Sequence, residues 1–559
     1  MAAAGEGPEA SQAGGEYHHH LVLEKFSRIV NDQVPFILEV RPMTQPTTRP
    51  ITLTPDADLT FADVLAVARG FAQVELSPAA LTAMTESRAR VDELAAAPTP
   101  AYGISTGFGA LAVRHIPPSA RTQLQRSLVR SHAAGMGPVV EPEVIRAMAL
   151  LRLRTLATGY TGVRPIVAST IAALLNAGIT PAVREHGSLG CSGDLAPLAQ
   201  LALTLIGEGQ ILAADGSVQP AGPALAAAGI APIELVAKEG LALINGTDGM
   251  LGMLIMACAD FSALLKLADI TAAMSIEALL GTDRVFAPDL HAIRPHPGQA
   301  ASAENIRRVL AGSAIVASHR VGDTRVQDAY SLRCAPQVAG AARDTLTFTE
   351  QTAGRELRSI IDNPVVLPDG RVESNGNFHG APVGLACDYL AIAAAEVGSI
   401  AERRTDRMLD VARSHGLPAF LAGDPGVDSG MMIAQYTQAA MVAENRRLAV
   451  PASVDSLPTS AMQEDHVSMG WGAARKLRQV LDNLARILAV ELVTAARALD
   501  LRAPLRPSAA SAAARDVVRS RVPGPGEDRY LSPELLRAEE LVRAGTVVEA
   551  VEAVIGELA

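Results

Sequence analysis

Residues 186–200 read HGSLGCSGDLAPLAQ. Gly187, Gly190 and Gly193 bracket Ser188 and Ser192, and Asp194 precedes Leu195-Ala196-Pro197 at the start of an apolar run. Three readings fit this local pattern. The first is a turn and helix start, with Asp194 as capping acceptor and Pro197 in the first turn. The second is a serine nucleophile, but GCSGD departs from the nucleophile elbow because Asp194 stands where the final glycine belongs. The third is a backbone ring closure. The amide nitrogen of Gly193 attacks the carbonyl of Cys191, and the ring then loses water, including the Ser192 hydroxyl. The attacking residue must be glycine, since a side chain blocks the tight approach. The middle residue must be serine, because its dehydration leaves an exocyclic methylene as an electrophile. The first residue supplies only a carbonyl, so its side chain is chemically free.

The rest of the chain sets the class. There are 559 residues, 48 basic against 59 acidic, giving a net charge of −11 that argues against a nucleic-acid partner. Hydrophobic residues make up 49% but aromatic ones only 3%. The apolar content is therefore mostly Ala, Leu, Val and Ile, the composition of a mainly α protein with a large core. Length alone predicts three to four domains or fewer large ones. Cys191, Cys258, Cys334 and Cys387 are widely spaced without a CxxC pair, which supports neither a zinc ribbon nor a disulfide framework and suits a reducing compartment. Pro165–Val183 reads as a buried helix plus turn rather than a membrane span. The first twenty residues lack an apolar signal core.

Along the chain, residues 1–47 form an N-terminal extension expected to be disordered. Its adjacent His18, His19 and His20 read as a solvated run, and Met43 resembles an ordinary start. From Pro55 to about Pro138, short β-prone pieces and Pro/Gly turns are expected, followed by helix. Thr247 and Asp248 mark a helix start before a long apolar run that Gly281 ends. Leu390, Ala394, Val397 and Ala401 repeat at helical spacing. From Trp471 to Leu501, Leu477, Val480, Leu481, Leu484, Ile487, Leu488, Leu492 and Leu499 form one stripe, and Pro504 stops it. Helices approaching about 45 Å in length call for an extended bundle whose apolar face neighbouring subunits help to cover. The expected division is 48–245 for a mixed N-terminal active-site domain, 246–502 for a long-helix bundle and 503–559 for shorter helices.

GSLGCSGDLAPLA resembles the signature of the aromatic amino acid ammonia-lyases, which carry a 4-methylidene-imidazol-5-one (MIO) group made from an Ala-Ser-Gly triad. Here Cys191 replaces the usual alanine, and Gln200 stands where many relatives have histidine. The resemblance runs from about Ile51 to the C-terminus. YGISTGFGALA, residues 102–112, is similar to the family's YGxNTGFG loop, with Ser105 in place of Asn. It implies that a mobile loop presents Tyr102 as general base. A free tyrosine titrates near pH ~10, so Tyr102 needs positive potential to serve near neutrality. Three helix starts are the expected source: at Ser192, at Asn245 in EGLALINGTDG, and at Tyr330 and Arg333 in VQDAYSLRCAPQ.

The resemblance further implies Arg333 as the clamp on the substrate carboxylate. Gln327, Tyr330 and Asn245 match family positions around the reacting centre, with Tyr330 among the catalytic set. Phe378 in SNGNFHGAP matches the NFH segment packed on substrate or MIO, while His379 reads equally well as structural. Ser131-His132 resembles the Ser-His pair of the histidine-specific members, where phenylalanine lyases have Phe-Leu and tyrosine lyases His-Leu. Glu464 in SAMQEDHVSMGW would accept the substrate ring N–H, and Met462 replaces a common Asn. These matches imply L-histidine as substrate, trans-urocanate and ammonia as products, and Cys191-Ser192-Gly193 as the MIO precursor. Neither an external cofactor nor a metal is expected. The family fold is an ammonia-lyase/fumarase-like long central helical bundle, assembled as a cytoplasmic homotetramer with shared sites. A tyrosine or phenylalanine ammonia-lyase or aminomutase is the near alternative. A serine hydrolase using Ser192 and an inert helical scaffold are the distant ones.

Overall fold

Hydrogen-bonding side chains open the first helices. Thr60 and Asp63 form a reciprocal capping box that starts α1 (Phe61–Ala68), and Ser77 caps α2 (Pro78–Ala96) with Pro78 in its first turn. The computed structural model describes residues 50–56 and 58–559, so the expected extension, the histidine run and the Met43 start lie outside the described residues. Between Pro55 and Pro138 the chain is more helical than the sequence suggested: α1, α2 and α3 (Arg121–His132) occupy much of it. The Thr60–Asp63 and Ser77–Pro78 signals outweigh the scattered turn formers.

Strands are short. β1 (Ile51–Leu53) pairs in parallel with β2 (Val74–Leu76), and β3 (Met136–Val139) pairs antiparallel with β4 (Arg184–His186). Around them stand α4 (Pro142–Ala157), α5 (Leu195–Leu205) and the short α6 (Glu239–Ile244). The bundle follows: α7 (Asp248–Ala278), α8 (Ala335–Arg358), α9 (Ala381–Leu409), α10 (Met432–Leu448) and α11 (Gly470–Asp500). The α11 stripe from Leu477 to Leu499 is buried as its spacing predicted, against α7, α9 and α10. On α9, Leu390, Ala394, Val397 and Ala401 are buried too. α7 is apolar almost all round and is buried along most of its length, as such a composition demands. α7 and α9 are long and apolar enough to cross a membrane, yet most of each such window is buried inside the protein. The larger of two apolar clusters runs from Leu53 to Leu558, and all four cysteines are free thiols.

Buried charges stitch these helices together. Glu491 on α11 accepts from Thr271 Oγ1 at 2.8 Å and Ser275 Oγ at 2.9 Å on α7, and from Arg404 Nη2 at 3.0 Å on α9. A second knot joins Arg69 and Arg478 to Glu143 and Asp260, with Arg69 Nε 2.6 Å from Glu143 and Arg478 Nη1 3.0 Å from Asp260. Burial alone raises the Glu143 carboxyl, but Arg478 and Arg69 outweigh it and bring it down to about 2. A carboxylate depressed on folding contributes stability above its unfolded pKa of about 4.3 and loses it as pH falls toward the folded value. Glu143→Gln should therefore cost on the order of 2–3 kcal/mol near neutrality, with the gap closing between about pH 4.3 and pH 2. Denaturant melts across that range check this, and a gap of constant size contradicts it.

Candidate active site

Two helix starts meet at the segment that opened the sequence reading. Gly193, just before α5, forms a parallel bridge with Gly246, just before α7. Asp194 N donates to Gly246 O at 2.7 Å. Gly193 has φ +76°, and a Cβ there would lie 2.0 Å from Gly246 O. Backbone conformation and contact thus both require glycine. Among the described residues the Gly193 N–H has no hydrogen-bond partner. An amide free of acceptors, in a turn that also bends at Gly190 (φ +66°), suits attack on the Cys191 carbonyl.

Asp194 does not cap α5, which departs from the first of the three readings of this segment. Its carboxylate accepts from Gly249 N and Met250 N, each at 2.9 Å, and so caps α7. Ser188 Oγ donates to it at 2.8 Å. The Thr247 hydroxyl, placed to cap α7, instead donates to Glu356 at 2.7 Å. Burial pushes the Asp194 carboxyl up to about 7, against these hydrogen bonds and with Asp248 adding to the rise.

The loop is fixed from two further sides. Gly190 O accepts from Gly380 N at 3.2 Å and Ser468 Oγ at 2.8 Å, while Met469 N donates to Leu189 O at 2.8 Å. Ser192 Oγ donates to Glu464 Oε1 at 3.4 Å, and Thr459 Oγ1 donates to Glu464 Oε2 at 3.0 Å. Cys191 is buried, and burial together with Glu464 pushes its thiol up to about 12, so it is no thiolate nucleophile.

His132 ends α3 beside an open recess of about 360 Å³ lined by Ser131, His132, Ala134, Gly187, Leu195 and Ala196. Its Nδ1 lies 2.9 Å from Leu128 O. A carbonyl only accepts, so Nδ1 carries the hydrogen and Nε2 remains an acceptor. Burial lowers the His132 pKa, although the Leu128 carbonyl and Glu464 pull the other way, and the neutral form is favoured.

Tyr102 Oη accepts from Gly109 N at 3.4 Å. Its pKa is raised, first by burial and then by Glu464 and Asp362, with only the Gly109 N–H opposing. The sequence reading required a lowered value. The physical reason is burial, with two carboxylates adding to it; moreover, only two of the three expected helix starts converge in one chain. Gln327, Tyr330 and Arg333 sit at the opposite end of α7, where Asp328 accepts from Thr282 N at 2.7 Å and Arg325 donates to Leu280 O. The 31 residues of α7 separate the two groups by about 45 Å. Arg333 there donates to Asp328 O at 3.0 Å and stacks over the Tyr330 ring, which is exposed. Tyr102, His132, Cys191, Ser192, Asn245 and Glu464 gather around the loop; Gln327, Tyr330 and Arg333 do not. Phe378 is half-buried on the segment that Gly380 ties to Gly190, and the His379 ring stacks on His466 beside Glu464.

Residues 59–520 match the model of the aromatic amino acid lyases. The chain belongs to the aromatic amino acid lyase family. It is 66% identical over 502 residues to the histidine ammonia-lyase of Streptomyces avermitilis, covering 90% of this chain and 98% of that one. Its fold is similar to a tyrosine aminomutase from Streptomyces globisporus (TM-score 0.86, 39% identity, covering 91% of this chain and all of that one). It is also similar to the histidine ammonia-lyase of Trypanosoma cruzi (TM-score 0.82, 38% identity, covering 90% and 95%). Family members with different names thus share this backbone, so the fold alone does not choose between their substrates.

Three contributors escaped the sequence reading: Thr459, the Asp194 cap on α7, and Arg152. The last left a signal, since Arg146, Arg152 and Arg154 interrupt the otherwise apolar α4 and demand buried acceptors. Beside Glu464, Ser460, Ala461 and Met462 have φ of 50°, 51° and 71°. Left-handed backbone costs a non-glycine residue about 1–2 kcal/mol, less for Asn. Met462→Asn should therefore raise stability by up to about 1 kcal/mol, read as an upward shift of the urea midpoint at unchanged slope; a downward shift contradicts this.

Proposed function

We propose that this chain is a histidine ammonia-lyase, a carbon–nitrogen lyase that converts L-histidine to trans-urocanate and ammonia. The observation that carries the reading is the Glu464 carboxylate at the Ser192 hydroxyl, with the His132 imidazole near enough for Glu464 to act on its charge. The high identity to named histidine ammonia-lyases supports it. The MIO group fits the residues present: an unpaired Gly193 N–H, no room for a side chain there, and Ser192 between. Once formed, it supplies the electrophile that makes ammonia a feasible leaving group.

The chain's own residues do the rest. A neutral His132 presents Nε2 to the recess and Glu464 presents a carboxylate, so an imidazole finds an acceptor for its N–H and a polar edge beyond it. A phenyl ring offers neither of these half-buried acceptors a donor, which disfavours it against an imidazole. Tyr102 takes the β-proton. The upward shift of Tyr102 in a single chain calls for added positive charge, which Arg333 of the partner subunit would supply in a homotetramer with shared sites. Arg333 would there clamp the substrate carboxylate, with Gln327, Tyr330 and Asn245 orienting the reacting centre and Phe378 packing against it. Exposed apolar side chains on α8 and α9, including Phe348, Leu385, Tyr389 and Ile392, support such an assembly. A cytoplasmic location suits the free thiols.

Two measurements test this reading. L-Histidine should be turned over with kcat/KM about 10⁴-fold or more above L-phenylalanine, and comparable turnover of phenylalanine or tyrosine contradicts it. Co-refolding Ser192→Ala chains with Arg333→Lys chains should restore activity that neither has alone, since mixed assemblies contain intact shared sites. Absence of recovery in verified mixed oligomers contradicts the shared site.

A further inference from the structure

Beneath the Gly193–Gly246 contact lies a cation that the proposed chemistry does not use. Arg152, in the middle of α4, has a fully buried side chain. Its Nη1 donates to Ala242 O at 3.1 Å and Asn245 O at 2.7 Å, and its Nη2 donates to Ile361 O at 2.8 Å. Nε lies 3.4 Å from Asp248 Oδ2, and neither atom has another hydrogen-bond partner. The guanidinium therefore binds the carbonyls that end α6 and pairs with the first residue of α7. These are favourable places for a cation and an anion respectively.

Gly246 rests directly on this pair. A Cβ there would lie 2.2 Å from Asp248 Oδ2, 2.8 Å from Arg152 Nη2 and 2.9 Å from Arg152 Cζ. Its carbonyl in turn meets Asp194 N and excludes any side chain at Gly193. Asn245, whose own carbonyl is held by Arg152, sends its side chain to Asn363 O at 3.0 Å. One planar fork thus fixes Asn245, Gly246 and the turn at Ile361 in a single arrangement, as a lysine's point charge cannot.

We propose that Arg152, paired with Asp248, is a positioning residue for backbone ring closure at Cys191-Ser192-Gly193. It holds the Gly246 carbonyl against the end of the tripeptide, where that carbonyl accepts from Asp194 N and confines the Gly193 backbone. The inference rests on the MIO reading above. In the step itself, the Gly193 nitrogen bonds to the Cys191 carbonyl carbon and its proton passes to that oxygen. The resulting hydroxyl leaves as water with the Ser192 amide proton, giving a C=N bond. The Ser192 hydroxyl and Cα hydrogen leave as a second water, giving the exocyclic C=C bond. Nothing is oxidised or reduced overall.

Arg152→Lys and Arg152→Met test the assignment. Each full-length variant is compared with the unaltered chain by circular dichroism, oligomer size and the intact mass of the folded fraction. Folded variant chains should show the loss of two waters about tenfold or more less often at a fixed time after refolding, with lysine giving little rescue. Complete closure in both folded variants overturns the proposal. Gly246→Ala covers the case in which neither folds, because it keeps the guanidinium and forces the contact apart. Deficient closure in folded Gly246→Ala supports the proposal, and complete closure overturns it. An unaltered chain at full mass refutes the parent reading instead, which separates the two failures.

Discussion

Two glycines in backbone contact decide what this molecule can do. The Gly193–Gly246 bridge holds the starts of α5 and α7 against each other with no room for a methyl group. Around it the polar groups have little choice. Asp194 leaves its own helix to cap α7, Ser188 binds Asp194, and Gly380 and Ser468 fix the Gly190 carbonyl. The long bundle, knotted by Glu491 and Arg404, is the rigid frame that lets a short loop remain so constrained. The proposed chemistry at Ser192 would be a property of that frame as much as of the tripeptide.

The fold was legible because its signals repeat. The α11 stripe and the α9 spacing run over many turns, and composition already favoured helix. The stretch from Pro55 to Pro138 was harder, since single caps such as Thr60–Asp63 are weak in sequence while turn residues are conspicuous. Within the site, residues adjacent to glycine-rich motifs were readable: Tyr102, His132, Ser192, Asn245 and Glu464 all gather near the loop. The destination of Asp194 was not, because capping rules are local and its partners lie more than fifty residues away. Arg152 was hidden for the same reason, since its acceptors are main-chain carbonyls that no motif records.

Helix direction explains the largest gap between motif and structure. The family resemblance implies Tyr330 and Arg333 beside the substrate, while α7 carries them to the far end of the bundle. Both statements hold if the functional unit contains more than one chain, and the upward-shifted Tyr102 then marks a half-site awaiting positive charge. The backbone is similar to that of a tyrosine aminomutase, so under the proposed function the acceptors at His132 and Glu464 would bear most of the discrimination.

All of this depends on whether the glycine-rich turn has closed. The most direct measurement is the mass of the proteolytic peptide spanning residues 186–200, taken from the unaltered protein purified under native conditions. A peptide lighter by two waters is expected. A peptide of full mass, from a preparation that still deaminates L-histidine, would contradict it.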